Sequence, residues 1–518
     1  MPLSGDFVGV DLGTSSCKVS VVDARGEVKA TSIRRYPLDL GVQGSAEQDP
    51  GDWWRAMCDA TREALSSGPK LDLKGVGLTG QWSGTVPTDA GGAPLRKAII
   101  WMDSRGKDAI ERLRSGFPSV SGYRLDKLYA WLRKTGGAPA RSGKDSLAHI
   151  LYIKESFPDV YRGTHKFMEP KDYLVMKLTG VWAASWDNTA LLWATDNRDP
   201  SRVKYDDGLL KMAGLEREKL PDLVPPTEVV GGVTSSAAAD TGLPAGTRVV
   251  AGCGDMQCSL LGAGCVEDFA THLYVGTSAW ITAHVPFKKT DVSHNIASLP
   301  SAIPGRYFVA AEQENAANAL EFMCTALNIP QRNKYEEMDR MVRSSPRGAK
   351  KLIFLPWLFG ERAPVEDPDM RGGLFNLSLG HDRNDMVRAV MEGVAYNARW
   401  LLSVVEGFVG ARRGGRGRLA MSGGASLSGV WPQVFADVLE RELLVVANPT
   451  YSTAKGAAML AALGTQSLTL DELKRISAVG ELVSPEKEGS AVYREGYAQF
   501  LRYYNSNKMS MREYNRGG

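Results

Sequence analysis

Phe7 to Val22 reads F-V-G-V-D-L-G-T-S-S-C-K-V-S-V-V, and its reading decides the fold. Phe7, Val8 and Val10 open a short run of strand formers. Leu12, Gly13, Thr14 and Ser15 interrupt it, and Cys17 to Val22 resume it with alternating character. That pattern predicts a β-hairpin with a Gly/Thr/Ser turn. Such a turn faces successive backbone N–H groups and two hydroxyls outward, which makes a nest for phosphate oxygens. Asp11, at the end of the first strand, is placed to hold a hydrated divalent cation against those oxygens, and Lys18 adds a point charge. Taken alone, the same residues also describe an ordinary hairpin.

A second copy of the pattern changes the reading. His272 to Ile281 reads H-L-Y-V-G-T-S-A-W-I: a strand, the turn Gly276-Thr277-Ser278, then another apolar run. The two glycines, Gly13 and Gly276, lie about half the 518-residue chain apart. A phosphate turn repeated at that distance predicts a duplicated fold with one turn from each half, the two gripping a triphosphate across a cleft.

A chain of 518 residues is long enough for two large domains, each with its own core. Its formal charge of +3 is nearly balanced and gives no reason to expect nucleic acid or an acidic membrane as partner. Six cysteines argue against a disulfide scaffold, and the spacing of Cys253, Cys258 and Cys265 matches no common zinc pattern. No basic segment with an apolar core opens the chain, and no apolar run reaches membrane-spanning length, so a cytoplasmic protein is expected.

Between and after the two turns, several stretches place polar groups at strand ends. Val76 to Gly84 (V-G-L-T-G-Q-W-S-G) is a strand ending in a glycine-framed turn that carries Gln81 and Trp82. Ala98 to Arg105 is an apolar strand running into Asp103 and Arg105, either a ligand-binding pair at a sheet mouth or a salt bridge fixing a loop. Residues 106–165 look helical and charged, and residues 196–247 read as a helical excursion that returns to the sheet at Arg248. Val249 to Gly264 (V-V-A-G-C-G-D-M-Q-C-S-L-L-G-A-G) enters a glycine turn followed at once by Asp255 and a small-residue helix. There Asp255 either caps the helix or accepts a proton from a hydroxyl. Glu312 to Met323 reads as a helix with small residues on one face. Arg412, Arg413, Arg416 and Arg418 read as a solvated loop, and Leu419 to Ala425 as a strand entering the glycine turn Gly423-Gly424-Ala425. Bare backbone there suits an adenine face and a polyphosphate, or is simply a tight turn. The segment after Val483 reads as charged helix with a frayed end. No G-x-x-x-x-G-K-[ST] motif and no protein-kinase loop set is present.

The order of these motifs, from Phe7 to about Gly464, resembles the FGGY carbohydrate kinases of the sugar kinase, Hsp70 and actin superfamily. The resemblance implies an α/β fold of two duplicated ribonuclease-H-like (actin-like ATPase) domains with a catalytic cleft between them. Residues 1–264 would form the sugar-binding domain, 265–485 the nucleotide-binding domain, and 486–518 a helical tail. It implies ATP and Mg²⁺, with Asp255 as the catalytic base and the ion near Asp11 and Asp255. Gly13, Thr14, Ser15, Lys18, Gly276, Thr277 and Ser278 would hold phosphates. Ala316, Gly423, Gly424, Ala425 and Ser428 would serve the nucleotide. Gln81, Trp82, Asp103, Arg105, Asp255 and Met256 would line the sugar, while Asp172, Glu361 and Arg362 are assigned to structure. The chain departs from the family at His149 and Tyr152, where Lys and Trp are usual, and at Asn376, where Gly is expected. It is most similar to members acting on ketopentoses such as D-xylulose, but those have Met-His at Gln81-Trp82 and Asn at Met256. Another ketose, a pentitol or a deoxy sugar therefore stays open, as does a non-catalytic nucleotide switch. The resemblance makes a homodimer common, although no residue here determines the oligomeric state.

Overall fold

A computed structural model describes residues 4–42, 44–67, 71–410, 417–476 and 479–515. The opening stretch is a hairpin: β1 (Asp6–Leu12) and β2 (Ser16–Asp23) pair antiparallel, with Leu12 opposite Cys17 and Asp11 opposite Lys18. β3 (Val28–Arg35) extends it antiparallel, and β4 (Leu73–Gly80) joins β1 in parallel. β5 (Val229–Gly232), β6 (Arg248–Val250) and β7 (Cys253–Gly254) complete a seven-stranded sheet on the β4 side. The sheet is regained at Val229, as an antiparallel edge strand, before the predicted return at Arg248. The Gly- and charge-rich approach to Val229 hid a short strand whose pairing partner lies downstream.

The second hairpin builds a sheet on the same plan. β8 (Thr271–Val275) and β9 (Ala279–Val285) pair antiparallel across Gly276-Thr277-Ser278. On the β9 side follow β10 (Thr290–Asp291), β11 (Ile296–Pro300) and β12 (Tyr307–Gln313). On the β8 side, β13 (Leu419–Ser422) and β14 (Leu443–Val446) are parallel, and β15 (Gly480–Val483) closes the edge. The shared core order, three antiparallel strands then parallel ones, is the duplication expected. Glu312 and Gln313 belong to β12 and not to the predicted helix, because Tyr307 to Gln313 alternates against the core.

Period-two alternation sorts each strand between two faces. Val8, Val10 and Leu12 pack with Val76, Leu78 and the stripe Trp53, Met57, Ala60 of α1 (Pro50–Ser66) on the outer face. Phe7, Gly9 and Asp11 lie on the opposite, inner face. There α4 (Asp255–Gly262) shares a core with Phe7, whereas α3 (Pro170–Thr179) joins α1 on the outer face and α2 (Ser146–Ser156) packs in a separate cluster with Ile99 and Trp131. In the second lobe α5 (Ala317–Ala326), α6 (Arg383–Val409) and α7 (Trp431–Leu439) cover the outer face.

Helix α8 (Ser452–Gly464) leaves the second lobe and lies on the inner face of the first sheet. Its Ala457, Ala458 and Ala461 share a core with Phe7, Cys258 and Leu261. A Cβ on Gly9 would run into the carbonyl of Ala454, and one on Gly262 into that of Ser452. The helix α9 (Lys487–Asn515) sends Tyr493, Phe500 and Tyr504 into the second core, with Trp357 5.3 Å from Phe500. It is an integral wall of that lobe. All six cysteines are free and buried. Residues 411–416, which include three of the four loop arginines, lie outside the described residues. Among the described residues no helix is long and apolar enough to cross a membrane.

Candidate active site

Each hairpin turn is closed by the N–H of its glycine, across four residues in the first and three in the second. The Gly13 N–H donates to Ser16 O (3.0 Å) and the Gly276 N–H to Ser278 O (2.9 Å). Among the described residues the N–H groups of Thr14, Ser15, Thr277 and Ser278 take no partner, so two outward-facing pairs of donors remain. The first turn is braced by Tyr36, which donates to Gly13 O, and by Gln48, which donates to Thr14 O (2.7 Å). The second is braced by Ala316 and Ala317, whose N–H groups donate to Thr277 O (3.1 Å) and Gly276 O (2.9 Å). Ala316 is therefore a fully buried support beneath the turn.

Asp255 is the first residue of α4, half-buried at the junction of β7 and the helix. Its Oδ1 accepts the Met256 N–H (2.8 Å), and among the described residues Oδ2 takes no hydrogen bond. One carboxylate oxygen is thus tied to the neighbouring backbone and the other is uncommitted among the described residues. Burial, then the charges of Asp11 and Glu312, push its carboxyl up to about 7, against the Met256 N–H bond and a smaller pull from Lys18. Asp11 lies across the β1–β2 pair from Lys18 at 3.5 Å. Burial raises the Asp11 carboxyl against the lysine, and the lysine is raised too: burial lowers it, but Asp11, Tyr274 and Tyr451 together outweigh that loss.

The turn that carries Asp255 is anchored from outside the strand. Asp187 is buried, and its Oδ2 accepts the Gly254 N–H (2.9 Å) and Gln257 Nε2 (3.2 Å). Gln257 reaches on to the second lobe, donating to Pro300 O (3.1 Å) and accepting the Ala302 N–H (2.5 Å). Trp186 beside it donates to Ser301 O (3.2 Å). Lys171 pairs with Asp172 and donates to Ala251 O (2.7 Å), which supports the structural reading of Asp172.

From the second lobe, strand register builds a row on the inner face: Ser422 opposite Tyr274, Tyr274 opposite Trp280, Trp280 opposite Glu312. Tyr274 and Trp280 are cofacial, with centroids 3.9 Å apart and planes 5° from parallel. The Tyr274 phenol is raised by burial, lowered by Lys18 and raised by Asp11 and Asp255. Lys18 and Asp11 of the first hairpin thus lie within electrostatic reach of Tyr274 on the second. Arg362, assigned mainly to structure, pairs with Glu312 and with Glu314 (2.7 Å). Lys144, from the first lobe, feels the same three charges and has no hydrogen-bond or ion-pair partner among the described residues; burial lowers its ammonium. Tyr274, Glu312, Asp187, Gln257 and Lys144 were not picked out by motif, and only Glu312 and Tyr274 carried a usable signal, their alternation within a strand.

The predicted sugar residues divide. Gln48 Oε1 accepts from Trp53 Nε1 (3.2 Å) and Gln81 Nε2 (2.9 Å), which leaves Gln81 Oε1 a buried acceptor without partner. The indole of Trp82 lies against Gly254, where a Cβ would come within 2.7 Å of it, and meets Phe308 of the second lobe edge-on at 6.3 Å. Met256 joins that same apolar contact between lobes. Asp103 is fully buried: it accepts the Ala46 N–H (2.9 Å) and pairs with Arg105 (2.6 Å), which also reaches Glu47 (2.5 Å). The carboxylates hold Nε and Nη2 of Arg105, and its partly exposed Nη1 takes no partner among the described residues. His149 is a buried packing residue near Asp103 O (3.3 Å), its imidazole held down to about 4 by burial. Of the nucleotide residues, Gly423 (φ 94°) packs under Val275, Gly424 faces open space, and Ala425 is buried. The Ser428 hydroxyl donates to Asp339 (2.6 Å) and accepts the Trp431 N–H (3.0 Å), which ties the entry of α7 to Asp339.

Comparison with known proteins gives two family matches. The model of the FGGY family of carbohydrate kinases, N-terminal domain, matches residues 7–262, and that of the C-terminal domain matches residues 272–465. The chain is 29% identical to a xylulose kinase of Staphylococcus epidermidis over 97% of both chains. It is 25% identical to a gluconokinase of Bacillus licheniformis, over 96% of this chain and 94% of that one. Among solved structures, the xylulose kinase from Rhodospirillum rubrum superposes with a TM-score of 0.82 at 27% identity, over 98% of this chain and 99% of that one.

Proposed function

The chain belongs to the FGGY family of carbohydrate kinases and is a sugar phosphotransferase; from that premise we propose that it moves the γ-phosphoryl group of ATP to a ketopentose such as D-xylulose, with Asp255 as general base. The observation that carries this reading is the half-buried Asp255, one oxygen uncommitted, its carboxyl raised to about 7 within electrostatic reach of Asp11 and Lys18 on the first hairpin and Glu312 on the second sheet. Phosphoryl transfer needs positioning, charge neutralisation and a group to take the acceptor proton. Thr14, Ser15, Thr277 and Ser278 would bind phosphate oxygens through their N–H groups, and Lys18 would add a cation. Asp255 Oδ2 would take the hydroxyl proton as the acceptor oxygen bonds to phosphorus. Gln81 Oε1 would accept a second sugar hydroxyl, and Trp82 and Met256 would pack against the carbon frame and exclude water.

The donor set also fits Mg²⁺. Asp11 raises the proton affinity of Asp255, so a cation held by the two would relieve that repulsion, and Mg²⁺ ordinarily takes one or two carboxylates beside phosphate oxygens and water. When bound, the ion would neutralise phosphate charge.

A second reading has one observation in its favour. Lys144, unpartnered beside Glu312 and Arg362, would suit the carboxylate of an aldonate, and a 25%-identical relative is named gluconokinase. Coupled ADP release with D-xylulose, D-ribulose, L-xylulose, pentitols and gluconate separates the readings. D-xylulose should give the highest kcat/KM. A maximum on gluconate would select the aldonate, and release independent of every sugar would point to a nucleotide switch.

A further inference from the structure

Tyr274 stands two residues before the second phosphate turn, on the face of β8 that looks toward Asp255. Its ring does not point away along the strand. It curls over the turn, so that a Cβ on Gly276 would lie 2.7 Å from its Cε1 and 3.0 Å from its hydroxyl oxygen. Only a glycine at 276 leaves room for that position. The cofacial stack on Trp280 locks the ring from the other side, and both rings are anchored by strand register. The hydroxyl itself has no hydrogen-bond partner among the described residues. It lies within electrostatic reach of Lys18, Asp11 and Asp255, the three charged groups around the point of transfer. A rigid aromatic ring carrying one uncommitted O–H beside a turn with free N–H groups is the arrangement of a preorganised donor.

We propose that Tyr274 is a further catalytic residue, whose phenolic O–H donates a hydrogen bond to the terminal phosphoryl group of the bound triphosphate. This rests on the kinase reading given above. In the transfer step the acceptor oxygen bonds to the γ-phosphorus and the bond from that phosphorus to the β–γ bridging oxygen breaks. The leaving diphosphate keeps the electron pair, and the hydroxyl proton passes to Asp255. Tyr274 keeps its own proton throughout; its O–H stabilises charge on the equatorial oxygens and turns with neither donor nor acceptor.

Tyr274→Phe tests this, because it retains the ring and its stack on Trp280 and removes only the hydroxyl. Two measurements are paired on the full chain: kcat for the best sugar of the panel, and the Kd of ADP with Mg²⁺, alone and with aluminium fluoride as mimic of the transferring group. We expect kcat to fall about 100-fold, ADP alone to bind within twofold of the parent, and the fluoride complex to bind at least tenfold more weakly. Tryptophan fluorescence should be unchanged. Parental kcat with parental affinity for the fluoride complex would overturn the proposal. So would an equal loss of affinity for ADP alone with altered fluorescence, which would assign Tyr274 to packing. If no sugar supports ADP release by the parent, the kinase reading fails by itself, and the ratio of fluoride-complex to ADP affinity still decides whether the hydroxyl contacts the phosphoryl position.

Discussion

At the scale of a residue, Asp255 owes its reactivity to its neighbours. A carboxyl raised to about 7 by burial, Asp11 and Glu312 holds its proton below that pH and releases it above. As a base it must be ionised, so kcat/KM should fall tenfold per pH unit on the acid side of about 7. Glu312→Gln removes a like charge, lowers the Asp255 pKa and should move that limb to lower pH; an unmoved limb would assign it to another group. Asp255→Asn should lose transfer by at least 1,000-fold, on the order of removing an essential acid–base group together with charge stabilisation. ATP affinity should stay within a few-fold, measured by calorimetry. Near-normal turnover in that variant would remove Asp255 from the mechanism.

At the scale of an element, the turn β7–α4 is short and glycine-rich, and its backbone would be loose without external anchors. Asp187 supplies them by taking the Gly254 N–H and Gln257, and Gln257 extends the tie to Pro300 and Ala302 in the other lobe. Asp187→Ala should lower kcat about 10- to 100-fold, the scale of misplacing a catalytic group, with the acid limb left where it was. Asp187 is not among the charges acting on Asp255. Asp187→Asn, whose carbonyl still accepts the Gly254 N–H, should recover part of the loss. Equal kcat in all three proteins would show that the turn holds itself.

At the scale of the whole molecule, the two lobes are stitched by chain that crosses over. Helix α8, encoded in the second half, lies on the first sheet against α4, and the approach is close enough to require Gly9 and Gly262. Helix α9 buries Phe500 and Tyr504 around Trp357. Phe500→Ala should cost about 3–5 kcal/mol of stability in urea denaturation of the second lobe, as removal of a buried aromatic does. A loss below about 1 kcal/mol would fit a peripheral tail.

Local sequence determined the two hairpins, because strand formers around a Gly-Thr-Ser turn admit few alternatives, and the repeat of that turn implied the duplication. It also marked Asp255, since a carboxylate after a glycine turn at a strand end has few neutral uses. Tertiary structure alone decided what surrounds it. Glu312 was hidden because a strand of alternating residues can read as a small-residue helix until its sheet partner is known. Asp187, Gln257 and Lys144 carry no local pattern, and the crossing of α8 depends on glycine contacts far apart in the chain. Charge and packing act through space, so the groups that set the Asp255 pKa could not be listed until the two inner faces were brought together.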